Sequence, residues 1–215
     1  KINPASELKI KEVKKLPPTF KLEDLKKLLN QPDRSTFAGY RDYVMMVLLM
    51  DSAIRISECV NLKIEDLVFE GSGIHALFLT DTKSREVQRV ALTSLVSDVL
   101  IDWLDYLDKI KYKGEYLFPA RGEERPVSVR NIQERIKNYG EKIGLQKCSP
   151  HMFRHTFGKC FTETGGNTRA LQEHLRHSNI SVTQIYSQIG SRSMRHIVEK
   201  HSPSSLLIDS GWTPG

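Results

Sequence analysis

The sequence predicts an α+β domain, mainly helical, with one small three-stranded antiparallel sheet. Three observations carry that prediction. Apolar residues recur at helical spacing through most of the chain. Only between residues 67 and 92 does the pattern change, to three short β-prone runs parted by turns. And 215 residues with 39% hydrophobic content are enough for one compact unit with a real core.

Residues 1–18 are lysine-rich, with Pro4, Pro17 and Pro18 and little periodicity, so they read as a linker or arm. Phe20, Leu22, Leu25, Leu28 and Leu29 then form an apolar stripe, and Glu23 and Asp24 stand in the first turn, where the helix dipole favours acids. Arg41 to Met50 continues as a helix buried all round, because the run from Tyr43 to Met50 is too continuous for one exposed face. It delivers a turn over Asp51 to Ile54, after which Arg55 starts a short helix. The strands are Leu67 to Phe69, Ile74 to Leu79 and Val87 to Leu92, joined at Gly71-Ser-Gly73 and at the polar stretch Thr80 to Arg85, with Lys83 at its tip.

Thr93 or Ser94 caps a long helix whose apolar side holds Leu95, Val99, Trp103 and Leu107; Ser128 caps another with Ile132, Ile136 and Tyr139. Ser149-Pro150 opens a further helix, since a serine oxygen can cap free backbone N–H groups and proline at the first position loses only an unpaired N–H. That helix should end at Gly165-Gly166, a second open at Asn167 or Thr168 and carry His177 in its last turn, and a short third present Tyr186. Met194, Ile197 and Val198 mark one more short amphipathic helix. Residues 202–215, rich in Ser, Pro and Gly, read as a tail.

Thirty-two Lys and Arg against 26 acids give a net charge of +6, which favours a polyanionic partner. No apolar run approaches the roughly 20 residues that span a bilayer, so the chain reads as soluble. Cys59, Cys148 and Cys160 are odd in number and lack CxxC spacing, which argues against a disulfide framework or zinc site and for a reducing cytoplasm. His151 and His155 stand one turn apart, but Met152 occupies the place where a zinc protease would have its Glu, so no metal is expected.

The chemistry-bearing residues gather between Cys148 and Gly190. His151 and Arg154, three apart on one helix, can converge on a single anion. Taken singly, His151, Arg154, His177 and Tyr186 each have a commoner structural explanation. Their order does not. His151-x-x-Arg154, then Leu175-x-His177-Ser178, then Thr183-x-x-Tyr186 resembles the carboxy-terminal signature of the tyrosine recombinases, the phage-integrase family. Upstream, Asp51-Ser-Ala-Ile-Arg55-Ile-Ser-Glu58 is similar to that family's first-arginine motif, and Lys83 falls in the hairpin where the family carries a lysine. The resemblance spans roughly residues 15 to 200. Two departures stand out: the family often has Gly where this chain has Ala53 or Ile54, and Gly where it has Arg176, and only glycine takes left-handed angles at no cost.

The resemblance implies a catalytic-domain fold over residues 19–200 and a site-specific DNA recombinase or integrase from a bacterial mobile element, phage or chromosome-resolution system. A type IB topoisomerase-like relaxing enzyme is the alternative. It assigns Tyr186 as nucleophile and Lys83 as general acid, with Arg55, Arg154, His151 and His177 around the scissile phosphate and no cofactor. Because the sequence begins at Lys1, a separate amino-terminal DNA-clamping domain is expected to precede it. The expected partners are double-stranded DNA, in the cytoplasm on the nucleoid, and further copies of the chain in a tetramer on two DNA sites. The segment after Gly190 is expected to dock in trans in that assembly, and residues 201–215 to form a tail.

Overall fold

The computed structural model describes residues 17–80, 87–175 and 191–214. Its elements run α1 (Leu22–Leu29), α2 (Phe37–Ser52), α3 (Ile56–Asn61), a 3₁₀ turn (Ile64–Asp66), β1 (Leu67–Glu70), β2 (Gly73–Thr80), β3 (Val87–Ala91), α4 (Ser94–Lys109), α5 (Val129–Lys142), α6 (Pro150–Glu163), α7 (Thr168–Leu175), α8 (Ser191–His201) and α9 (Pro203–Asp209). The mixed, mainly helical class expected from the sequence is what forms.

The centre is α2. Every residue from Tyr43 to Ser52 is buried, as a continuous apolar run requires when other helices cover all sides. Thr36 caps it by accepting from the Gly39 N–H at 3.1 Å. Around it pack α1, α4, α5, α6 and α9. The indole of Trp103 on α4 donates to the Leu117 carbonyl at 2.8 Å. At the other flank Tyr139 Oη on α5 donates to the buried Asp42 carboxylate at 2.9 Å, which also takes the Arg135 guanidinium. Phe20, ahead of α1, donates its N–H to Thr156 Oγ1 of α6 at 2.9 Å.

The sheet is antiparallel in the order β1-β2-β3, with a bulge between Val68 and Phe69. Thr80 pairs with Val87. Residues 81–86, and with them Lys83, lie outside the described residues.

Caps follow the sequence with one exception. Thr93 accepts from Val96 N–H and Ser128 from Asn131 N–H, each at 3.2 Å. Ser149 stands at the cap of α6 with Pro150 at the first position, but its hydroxyl makes no cap bond. The Met152 N–H is taken instead by the Ser149 carbonyl at 3.0 Å. Gly165, just past α6, holds φ +82° and lets the chain reverse into α7.

The segment expected as a tail carries a helix and core residues in its described part. Pro203–Asp209 forms α9, and Leu207 and Trp212 are 0% and 3% exposed in the main core. Two well-spaced apolar anchors outweigh a composition that, averaged over the segment, reads as polar. The helix before it packs on its own chain: Val198 of α8 is buried with Phe157, Phe161, Ala91, Ala170, Leu175 and Ala53 in a smaller, second core. His201 Nδ1 lies 2.8 Å from Thr164 Oγ1, and the Glu199 carboxylate takes the Ser94 N–H at 3.0 Å. The apolar face of α8 thus meets α6 and β3 of its own chain, and burial there already supplies what a short amphipathic helix needs to stay folded.

Candidate phosphate-binding site

The second core sets the backing of the site, because it joins the end of α2, the end of β3, α6, α7 and α8 at one place. Arg55 follows Ala53 of that core by two residues, and His151 and Arg154 lie on α6, which contributes Phe157 and Phe161 to it.

Arg154 lies in the second turn of α6, and its guanidinium reaches across two boundaries. Nη1 donates to the Ala53 carbonyl at 2.6 Å, and Nη2 donates to the Leu175 carbonyl. One side chain therefore ties the turn that precedes Arg55 to the end of α7. Leu175 is the last described residue before the segment 176–190, where the expected positions His177 and Tyr186 lie outside the described residues. His151, one turn before Arg154 on α6, is exposed. His155 stands one turn after His151; burial first, then His151 and the Arg154 charge, pull its pKa below the usual imidazole range.

Arg55 is held differently. The chain leaves α2 through Ala53, whose φ of 51° and ψ of 24° are left-handed. This is one of the two positions, Ala53 and Ile54, where a glycine is expected, so a non-glycine residue takes the strained turn at a cost of about 1 kcal/mol. Arg55 then caps α3. Its own N–H donates to Glu58 Oε2 at 2.6 Å and its Nη1 to Glu58 Oε1 at 2.9 Å, with 47% of the Arg55 side chain exposed. The carboxylate thus aims the guanidinium from behind and leaves nearly half of it facing solvent.

Of the six expected residues, Arg55, His151 and Arg154 are described, with Arg154 bonded to the turn that precedes Arg55; Lys83, His177 and Tyr186 lie outside the described residues. Glu58 stands in the first-arginine motif but not among the expected site residues. Its i, i+3 spacing from Arg55 at a helix start is the signal that points to it. His174, the other histidine of this region, is 5% exposed and stacked on Phe157 at 4.9 Å, which makes it a packing residue. Among the described residues no helix is long and apolar enough to cross a membrane.

The chain belongs to the phage integrase family, whose model matches residues 19–192. It is 32% identical over 189 residues to tyrosine recombinase XerA of Pyrococcus horikoshii, covering 87% of this chain and 62% of that protein. It is 28% identical over 199 residues to tyrosine recombinase XerD of Listeria monocytogenes, covering 90% and 65%. A crystal structure of XerA recombinase superposes with a TM-score of 0.65 at 26% identity, covering 86% of this chain and 65% of that one. The chain thus spans somewhat under two thirds of the length of these curated relatives.

Proposed function

We propose that this chain is the catalytic part of a site-specific DNA recombinase that cuts and rejoins strands through a 3′-phosphotyrosine intermediate. The observation that carries the reading is the bridge from Arg154 to Ala53 and Leu175, which draws one guanidinium to the turn that carries the other in a chain of this family. The relatives' names favour recombination over the topoisomerase alternative.

The chemistry follows from the phosphodiester. Its charge repels a nucleophile and grows in the transition state, so fixed cations aimed at the non-bridging oxygens lower the barrier. Arg55 and Arg154 stay charged at any relevant pH and offer planar forks that a lysine lacks. Tyr186 attacks phosphorus; since a free phenol is only about 0.1% ionised at pH 7, His151 accepts its proton. The P–O5′ bond breaks as Lys83 protonates the leaving oxygen, and His177 donates to the phosphate. A second strand's 5′ hydroxyl reverses the steps, so no cofactor enters. The same proposal takes residues 19–200 with α9 as the catalytic domain, and a tetramer on two DNA sites as the working assembly. Because α8 and α9 are seated in cis, assembly through them requires that seat to be exchanged.

The test uses sheared genomic DNA of the source organism as probe. Protein-linked fragments trapped by denaturation and sequenced at their ends should converge on one cleavage position. A nicked duplex carrying that position should then yield a covalent adduct with wild type and none with Tyr186→Phe, at equal DNA binding. An adduct in the mutant moves the nucleophile elsewhere, and no adduct with wild type overturns the reading.

A further inference from the structure

Asp51 lies four residues ahead of Arg55, in the last turn of α2, and is 1% exposed. A carboxylate so deep is retained only when its oxygens are taken up. Oδ2 accepts from Thr93 Oγ1 at 2.9 Å, and Oδ1 accepts from the Ser204 N–H at 3.1 Å. Neither partner is local: Thr93 caps α4, its hydroxyl also accepting from Val96 N–H, and Ser204 is the second residue of α9. The Ser202 and Ser204 hydroxyls, 2.9 Å apart, complete the polar surroundings.

Past Asp51 the chain enters the turn that presents the catalytic cation. Residues 53–55 have no regular structure, begin on a left-handed alanine and carry Arg55. Three side chains grip this turn: Arg154 on the Ala53 carbonyl, Glu58 on Arg55 itself, and Asp51 on the helix end from which the turn departs. Burial pushes the Asp51 carboxyl up to about 6, against the lowering pull of its serine and threonine partners. An asparagine could make both contacts without that cost, accepting from Ser204 and donating to Thr93.

We infer that Asp51 is a positioning residue for Arg55: by pinning the end of α2 to the starts of α4 and α9, it sets where the 53–55 turn presents the guanidinium. The C-terminal helix α9 is thereby part of the frame of the phosphate site. This rests on the proposed role of Arg55 in strand cleavage.

The experiment is a double-mutant cycle on single-turnover adduct formation, with the full protein and a nicked duplex carrying the trapped cleavage position. Asp51→Ala should slow cleavage at saturating DNA by roughly tenfold or more, since small misplacements of a catalytic cation are costly. The Kd for the duplex should stay within about twofold, and Asp51→Asn should restore most of the rate. In an Arg55→Lys background the Asp51→Ala loss should shrink to under about twofold, because the group it positions is gone. Should Asp51→Ala not fold, Thr93→Val removes one of the same two contacts and enters the cycle instead. Losses that multiply in full in both backgrounds, or that fall on Kd alone, overturn the proposal. An Arg55→Lys chain that cleaves like wild type overturns the role of Arg55, a failure visible without any Asp51 variant.

Discussion

Arg154 stands in the second turn of a 14-residue helix with its guanidinium tied to two backbone carbonyls, whereas Arg55 heads a six-residue helix behind a left-handed turn and is tied to one carboxylate. The same charged group is thus prepared in two ways. Arg154 is fixed by the regular geometry of α6 and in turn staples three chain segments, so its proposed chemical role comes with a structural one. Among the described residues the Arg55 side chain is held by Glu58, and the turn before it by Arg154 and Asp51. A rigid element supplies one cation; a supported turn supplies the other.

The largest expected effect separates these two modes. Arg55→Lys and Arg154→Lys should each slow cleavage by on the order of 10² or more, because a point charge does not reproduce a fork aimed at a developing oxyanion. Stability should part them. Arg154→Lys leaves the Ala53 and Leu175 carbonyls short of a donor and should destabilise by about 1–3 kcal/mol, while Arg55→Lys at a half-exposed site should stay within about 0.5 kcal/mol. Urea unfolding of both variants checks this; equal stabilities would erase the distinction.

The next effect concerns the support beneath Arg55. The Asp51 carboxyl is raised from 3.8 to about 6 in the folded chain. An acid whose folded pKa is raised binds its proton more tightly folded than unfolded. Its contribution to stability is therefore highest below pH 3.8, falls as pH rises through the window from 3.8 to 6, and is level above it, a total loss of about 3 kcal/mol. Asp51→Asn never ionises and lacks this loss. The stability of Asp51→Asn minus that of wild type should grow by most of that amount between pH 4 and 6.5 and then stay constant. A difference that is flat with pH in denaturant titrations would mean the carboxylate is stabilised where it lies.

How much of this is legible in the sequence differs between the two arginines. The frame of Arg154 can be read directly: Pro150 at a helix start, Gly165 past its end and the i, i+3 spacing of His151 and Arg154 are local signals, and all of them hold. The frame of Arg55 is legible only as a motif. The motif does not say which of Ala53 and Ile54 takes the left-handed angle, and that Asp51 reaches residues 42 and 153 positions away has no local signature at all. The same reason hides α9. Its anchor Leu207 and the nearby Trp212 have meaning only against the main core, with α9 packed on α1, α2 and α6, which a linear reading of a Ser- and Pro-rich stretch cannot supply.

The smallest effect probes the turn itself. Ala53→Gly relieves left-handed strain of about 1 kcal/mol, but it removes a fully buried methyl from the second core, a loss of about 1 kcal/mol. It also frees the unfolded chain by about 0.4–1 kcal/mol. The terms nearly cancel, with a net destabilisation below about 1 kcal/mol by the same reckoning. If Ala53 is only a tolerated strain, Gly should instead be neutral or stabilise by up to about 0.6 kcal/mol, measurable in urea, and cleavage should be unchanged. If the methyl is what seats the turn against Phe157 and Ala91, stability should fall slightly and cleavage by a few fold, while DNA binding holds. The second outcome keeps Arg55 as the cation that its surroundings must hold in place; the first would make its turn self-sufficient, like the helix that carries Arg154.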